Sequence, residues 1–197
     1  MSLNIILAVV IGIFTGYFLL PESILASTGL IIDIGLCLLL FFVGIEIGKN
    51  KEVITKIKKM GLKILLIPIM IIIGSLFGSI IAGFILGIPF NESGAIGAGF
   101  GWYTLSAMIL ADYSSELSAL AFISNVVREI IALISIPLIA KYIGDIESIA
   151  PAGATAMDTS LPVISKSTNP KTAIVSFITG VVLSTAVPIL VPIFINI

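Results

Sequence analysis

Arg128 and Glu129 sit side by side in the middle of "LSALAFISNVVREIIALISIPLIA", residues 117–140, and Asp158 follows in "TAMDTSLP". At 1.5 Å of rise per residue, the Arg–Glu pair lies roughly 18 Å from either end of that apolar run. A charge at such depth in a bilayer costs at least about 2.5–3.5 kcal/mol, so residues placed there face a cavity and one another. Asn125 precedes Arg128 by three residues and Glu129 by four, which gathers all three on one helical sector.

Two carboxylates and one guanidinium leave this interior at a formal charge of −1. Such a site favours a cation, and loading protons would release it. Asp158, Glu129, Asn125, Thr159 and Ser160 are the candidates for holding the cation, and Glu129, Asp158 and Arg128 for exchanging protons. Asp158 is the better cation ligand, because its Pro-flanked segment adds backbone carbonyls and hydroxyls. Glu129, on a continuous helix in apolar company, is the better proton-exchanging group. The structural alternative is an Arg128–Glu129 or Arg128–Asp158 ion pair that only fixes helix packing. Adjacent helical residues point about 100° apart, so Arg128 is also free to serve another partner.

A second stretch, "GAIGAGFGWYTLSAMIL" at 94–110, is apolar yet carries Gly94, Gly97, Gly99 and Gly101. Each glycine weakens a helix by roughly 1 kcal/mol relative to alanine, so this segment is expected to break inside the membrane. Trp102 and Tyr103 can cover a cation at about 0.5–2 kcal/mol, and Thr104 and Ser106 add hydroxyls. Tight glycine packing with an interfacial Trp–Tyr anchor is the alternative. "GAGFG" brushes against a dinucleotide fingerprint but lacks the preceding strand.

The elements that must position these groups follow from composition. Of the 197 residues 58% are hydrophobic and 11% charged, against about 25% charged in soluble domains. With a mean hydropathy of +1.25, lipid must be the solvent for much of the surface. A net charge of −1 argues against nucleic acid. There is no histidine, and Cys37 is the single cysteine, so no disulfide within the chain, metal site or cofactor is expected and an enzyme is the least expected reading.

Apolar runs predict spans at about 3–20, 27–48, 64–88, 117–140 and 172–195. "MSLNIILAVV" lacks a basic n-region and reads as a retained first span. The loop 49–63 holds six of the nine lysines, which places it and the N-terminus in the cytoplasm and the C-terminus outside. Segments 91–111 and 148–166, the latter with Pro151, Gly153 and Pro162, are expected to be re-entrant or broken. A shift of 54 residues lays Ala98-Gly99 on Ala152-Gly153 and Ser106 on Ser160, a weak echo consistent with an inverted repeat of units 64–110 and 117–166, after an N-terminal hairpin of spans at 1–48. The expected fold is one all-α polytopic membrane domain of about five transmembrane helices plus two broken segments. Glu46 reads as a solvated ion-pair partner of the lysine loop, and lining an exit path is the lesser alternative for Asp33. The spacings Gly74-x-x-x-Gly78 and Gly83-x-x-x-Gly87 read as helix-packing surfaces.

Four motifs, "LFFVGIEIGKN", "GAGFGWYTLSAMIL", "FISNVVREIIALISIPLI" and "GATAMDTSLPVI", follow one another as in the lysine exporter family, LysO, which the chain resembles over roughly residues 30–197. The resemblance implies export of L-lysine, and of toxic analogues, across the cytoplasmic membrane. It also implies a pair of intramembrane acidic residues, which fall on Glu129 and Asp158. The family pattern has about three further N-terminal spans, so the resemblance implies a half-size form that works as a homodimer or beside a separately encoded half. The expected function is thus a secondary exporter of lysine or a related cationic amino acid, coupled to proton antiport. The alternatives are a cation/proton antiporter, an exporter of another small amine, or a non-transporting scaffold subunit.

Overall fold

A computed structural model of the chain describes residues 61–197, together with residues 7, 11, 14–16, 18, 34, 38, 41 and 45. The expected spans 3–20 and 27–48 fall largely outside the described residues, as do Asp33, Cys37, Glu46 and the lysine-rich loop through Met60. Every regular element among the described residues is helical: α1 (Leu66–Leu86), α2 (Phe90–Gly97), α3 (Tyr103–Ala111), α4 (Ser115–Tyr142), α5 (Leu161–Ser167) and α6 (Pro170–Ile195). A short 3-10 turn at Gly61–Leu65 leads into α1, and two more at Glu147–Ile149 and Gly153–Met157 lie between α4 and α5. Lys63–Leu86, Ser115–Tyr142 and Pro170–Ile195 are long and apolar enough to cross a bilayer, matching three of the expected spans. The chain is an all-α membrane protein.

Local chemistry sets the boundaries. α1 stops at Gly87, whose φ of +74° is the left-handed conformation that glycine adopts without cost. Ser114 opens α4 by accepting the Leu117 N–H at 3.3 Å, and Asn169 opens α6 by accepting the Thr172 N–H at 3.1 Å. α6 is the most enclosed long helix, with Val175, Leu183, Val187 and Val191 fully buried, whereas α1 turns Ile73, Phe77 and Phe84 outward. The expected glycine packing holds at Gly83 alone: a Cβ there would stand 2.3 Å from that of Ser93. Gly87 is a cap, and Gly74 and Gly78 meet nothing within 4 Å among the described residues.

Both awkward segments are broken. The first runs as α2, an unwound stretch at 98–102, and α3; the second runs through two 3-10 turns and an unwound stretch before α5. They enter the bundle from opposite ends. Phe90, at the start of α2, lies 6.0 Å from Phe194 near the end of α6. Asn169, just before α6, donates from Nδ2 to Asp145 Oδ2 and closes the mouth of the second segment.

Candidate functional site

The polar residues of α4 go to three different places, because each turns about 100° from its neighbour. Asn125 serves the first break. Its Oδ1 accepts the Gly101 N–H at 2.7 Å, and its Nδ2 donates to the carbonyls of Ala121 at 2.9 Å and Ile96 at 3.3 Å. It thereby satisfies the Gly101 N–H, which unwinding leaves without a helical partner. Arg128 serves the second break: Nε donates to the Pro151 carbonyl at 3.2 Å and Nη1 to Ser75 Oγ at 2.6 Å. Among the described residues Arg128 makes no ion pair with Glu129 or Asp158, so the structural pair weighed from the sequence does not form.

Glu129 turns the other way, toward Asp158. Thr159 stands between the two carboxylates: its hydroxyl donates to Glu129 Oε1, and its backbone N–H donates to Asp158 Oδ1 at 2.6 Å. The same hydroxyl lies 3.4 Å from Asp158 Oδ1. One Oγ–H thus has an acceptor on either side.

The two breaks cross beside this pair. The Ala154 N–H donates to the Phe100 carbonyl at 2.8 Å. Gly101 and Gly153 take φ values of +97° and +63°, and a Cβ on Gly153 would stand 2.1 Å from the Phe100 oxygen. Only glycine permits that approach. Phe100 itself is held at φ +47°, a conformation rare for an aromatic residue, so the crossing carries real backbone strain.

A cavity of about 320 Å³ opens at the crossing, within the range of small-molecule sites. Of the residues singled out from the sequence, Trp102, Tyr103, Thr104, Glu129, Asp158 and Thr159 line it. The Tyr103 ring is fixed by an edge-on contact with Phe122, at 5.4 Å and 85°. Asn125, Ser106 and Ser160 are buried outside the lining: Ser106 Oγ donates to the Trp102 carbonyl at 2.9 Å, and Ser160 Oγ pairs with Thr155 Oγ1 at 2.8 Å. Arg128 also lies outside the lining.

Thr155 and Ser184 line the cavity and escaped the sequence reading. Thr155 hides among the small residues of "GATAM". Ser184 is a polar step in "GVVLSTAVP" of the last span, a signal that was there to find. Among the described residues no three His, Cys, Asp or Glu side chains gather as metal ligands.

The family described as lysine exporter LysO matches residues 6–195. The lysine exporter LysO of Escherichia coli K12 is 32% identical over 160 residues, covering 81% of this chain and 53% of that protein. A Haemophilus influenzae protein provisionally named a lysine exporter is 34% identical over 161 residues, covering 79% of this chain and 80% of its own. The chain thus spans about half the length of the Escherichia coli relative. No solved structure matches it.

Proposed function

The chain belongs to the lysine exporter LysO family, and from that premise we propose that it exports L-lysine or a related cationic amino acid across the cytoplasmic membrane. The observation that carries the reading is the convergence of Glu129 and Asp158, from separate segments, on Thr159 in one cavity where the breaks cross. Two half-buried carboxylates in one cavity, without a cationic partner among the described residues, call for a charge from outside the chain. An ammonium group supplies one, and a proton supplies the other. Trp102 and Tyr103 line the same cavity, where an aromatic ring can stabilise a cation.

Export of a +1 solute against an inside-negative potential costs about 2.3 kcal/mol per 100 mV, and inward proton movement offsets that cost. Asp158 holds the ammonium and Glu129 exchanges the proton. Thr159 links them: while Glu129 is charged, the hydroxyl donates to it. When Glu129 gains a proton it becomes the donor, and the Thr159 hydroxyl turns its own proton toward Asp158. That new bond competes with the ammonium and favours release.

The lysine-rich loop lies in the cytoplasm, with the N-terminus inside and the C-terminus outside. A second copy, or a separately encoded half, covers the exposed rim at Trp102 and Thr104; the mass of the chain in nanodiscs reads this directly. The functional test is uptake of labelled lysine into inside-out vesicles. Lysine should accumulate with the wild-type chain and not with Asp158→Asn; equal uptake by both would remove the cavity from transport.

A further inference from the structure

α6 meets the second break along one face. Ser176, Gly180 and Ser184 stand four residues apart, which aligns them on one side of the helix. Ser176 Oγ donates to the Ala156 carbonyl at 2.7 Å, and Ser184 Oγ donates to Met157 Sδ at 3.6 Å. Between them, a Cβ on Gly180 would stand 2.4 Å from Met157 N, 2.6 Å from Met157 Cβ and 2.9 Å from the Ala154 oxygen. The turn Gly153–Met157 therefore rests directly on the backbone of α6, at a distance that only glycine allows.

Met157 is the side chain that this contact fixes. An unbranched thioether with three rotatable bonds ordinarily shifts to fill whatever gap is present. Here Gly180 meets it at Cβ and Ser184 holds it at sulfur, so both ends have a set place. Met157 and Ser184 line the cavity of Glu129 and Asp158, and Ala154 and Thr155 line it with them. The Thr155 hydroxyl is engaged with the Ala152 carbonyl and Ser160 Oγ, at 2.8 Å each. Its methyl Cγ2 lies 3.7 Å from where a Cβ on Gly101, another lining residue, would stand. The lining is thus of two kinds. Glu129, Asp158 and Thr159 supply charge and a hydroxyl, and Met157, Ala154 and Thr155 supply a thioether and methyl groups.

We propose that Met157, set in place by Ser184, is the specificity-determining residue that reads the length of the methylene chain of the transported cation. This rests on the export reading above. The ammonium goes to the carboxylates, and the methylenes lie against the thioether. Met157 directly precedes Asp158, so one turn of backbone sets both the apolar wall and the charged group. In an apolar pocket one methylene too many or too few changes discrimination about 10–200-fold. A methionine free to change rotamer would blunt that difference, and the Ser184 hydroxyl keeps it from doing so. Ser184 acts through Met157 and is a positioning residue.

Competition in inside-out vesicles holding the full chain tests the proposal. Labelled lysine is the reporter. Unlabelled 2,4-diaminobutanoate, ornithine, lysine and homolysine, which differ by single methylenes, are the competitors. The wild-type chain should show one preferred length, with each neighbour one methylene away at least about tenfold weaker. In Met157→Ala that preference should fall to within about threefold, while lysine is still transported. Ser184→Ala keeps the thioether and removes the hydroxyl that holds it, and should lower the preference at least about threefold. A merely structural loss would weaken all four competitors alike and leave their ratios unchanged. A flat series in the wild type, or an unchanged ratio in Met157→Ala, overturns the role of Met157 and leaves export standing. An unchanged ratio in Ser184→Ala alone overturns the part given to Ser184. No uptake of labelled lysine by the wild type overturns the export reading itself. Should Met157→Ala not fold, the ratio in Ser184→Ala decides the proposal.

Discussion

The first break, 98–102, is an unwound stretch between two short helices, and the second, 150–160, runs through a 3-10 turn into α5; they differ in what meets their backbone groups. The first is met by Asn125, a buried neutral amide that accepts from Gly101 and donates to Ile96. The second is met by a guanidinium at Pro151, and it carries its own carboxylate and hydroxyl at Asp158 and Thr159. A neutral, fully satisfied break makes a firm wall. A break bordered by charges makes a site whose energy changes when a proton or ion arrives. The fold uses one of each and crosses them at Phe100 and Ala154.

The largest effect should come from the charged break. Asp158→Asn, and Glu129→Gln opposite it, should each lower export at least about a hundredfold while the protein still inserts and purifies as a folded species. Vesicle flux measures the first and size-exclusion profiles the second. Export near the wild-type rate would mean that the second break is as passive as the first.

Next in size is the crossing itself. Gly153→Ala places a Cβ against the Phe100 carbonyl at a left-handed φ, and should destabilise the protein by about 2 kcal/mol or more in detergent unfolding. The wall should be nearly as sensitive: Asn125→Ala orphans the Gly101 N–H, at a cost of about 1–3 kcal/mol, and does less damage to lysine affinity than Asp158→Asn. Smaller still is Gly74→Ala, where a Cβ meets nothing within 4 Å among the described residues. It should change stability by no more than about 0.5 kcal/mol. A large effect there would show that the face of α1 is covered.

Much of this was legible in the sequence. Glycines at 97, 99 and 101 and prolines at 151 and 162 are poor helix formers in apolar surroundings, so the two breaks could be read directly from residue type. The depth of Glu129 followed from counting along an uninterrupted apolar run. Where each side chain turns was less legible. Asn125, Arg128 and Glu129 share one sector by spacing, yet the crossing stands on that sector and separates them: Asn125 and Arg128 bond to backbone on one side, and Glu129 reaches Thr159 on the other. Sequence spacing carries the angle around α4, and only the packing of the breaks decides what lies at each angle. The same limit explains Ser75, which meets Arg128 across 53 positions of sequence, and the burial of Ser106 and Ser160 behind the cavity.

Lysine and proton movement measured together in proteoliposomes tests the central claim most directly. With wild-type chain and an imposed proton gradient, lysine should move against its own gradient, opposite in direction to protons, and collapse of the proton gradient should stop it. Glu129→Gln should bind lysine weakly yet lose the response to the proton gradient. Gradient-driven lysine movement that persists unchanged in Glu129→Gln would contradict the account, because protons would then be reaching the substrate site by some route other than the carboxylate facing Thr159.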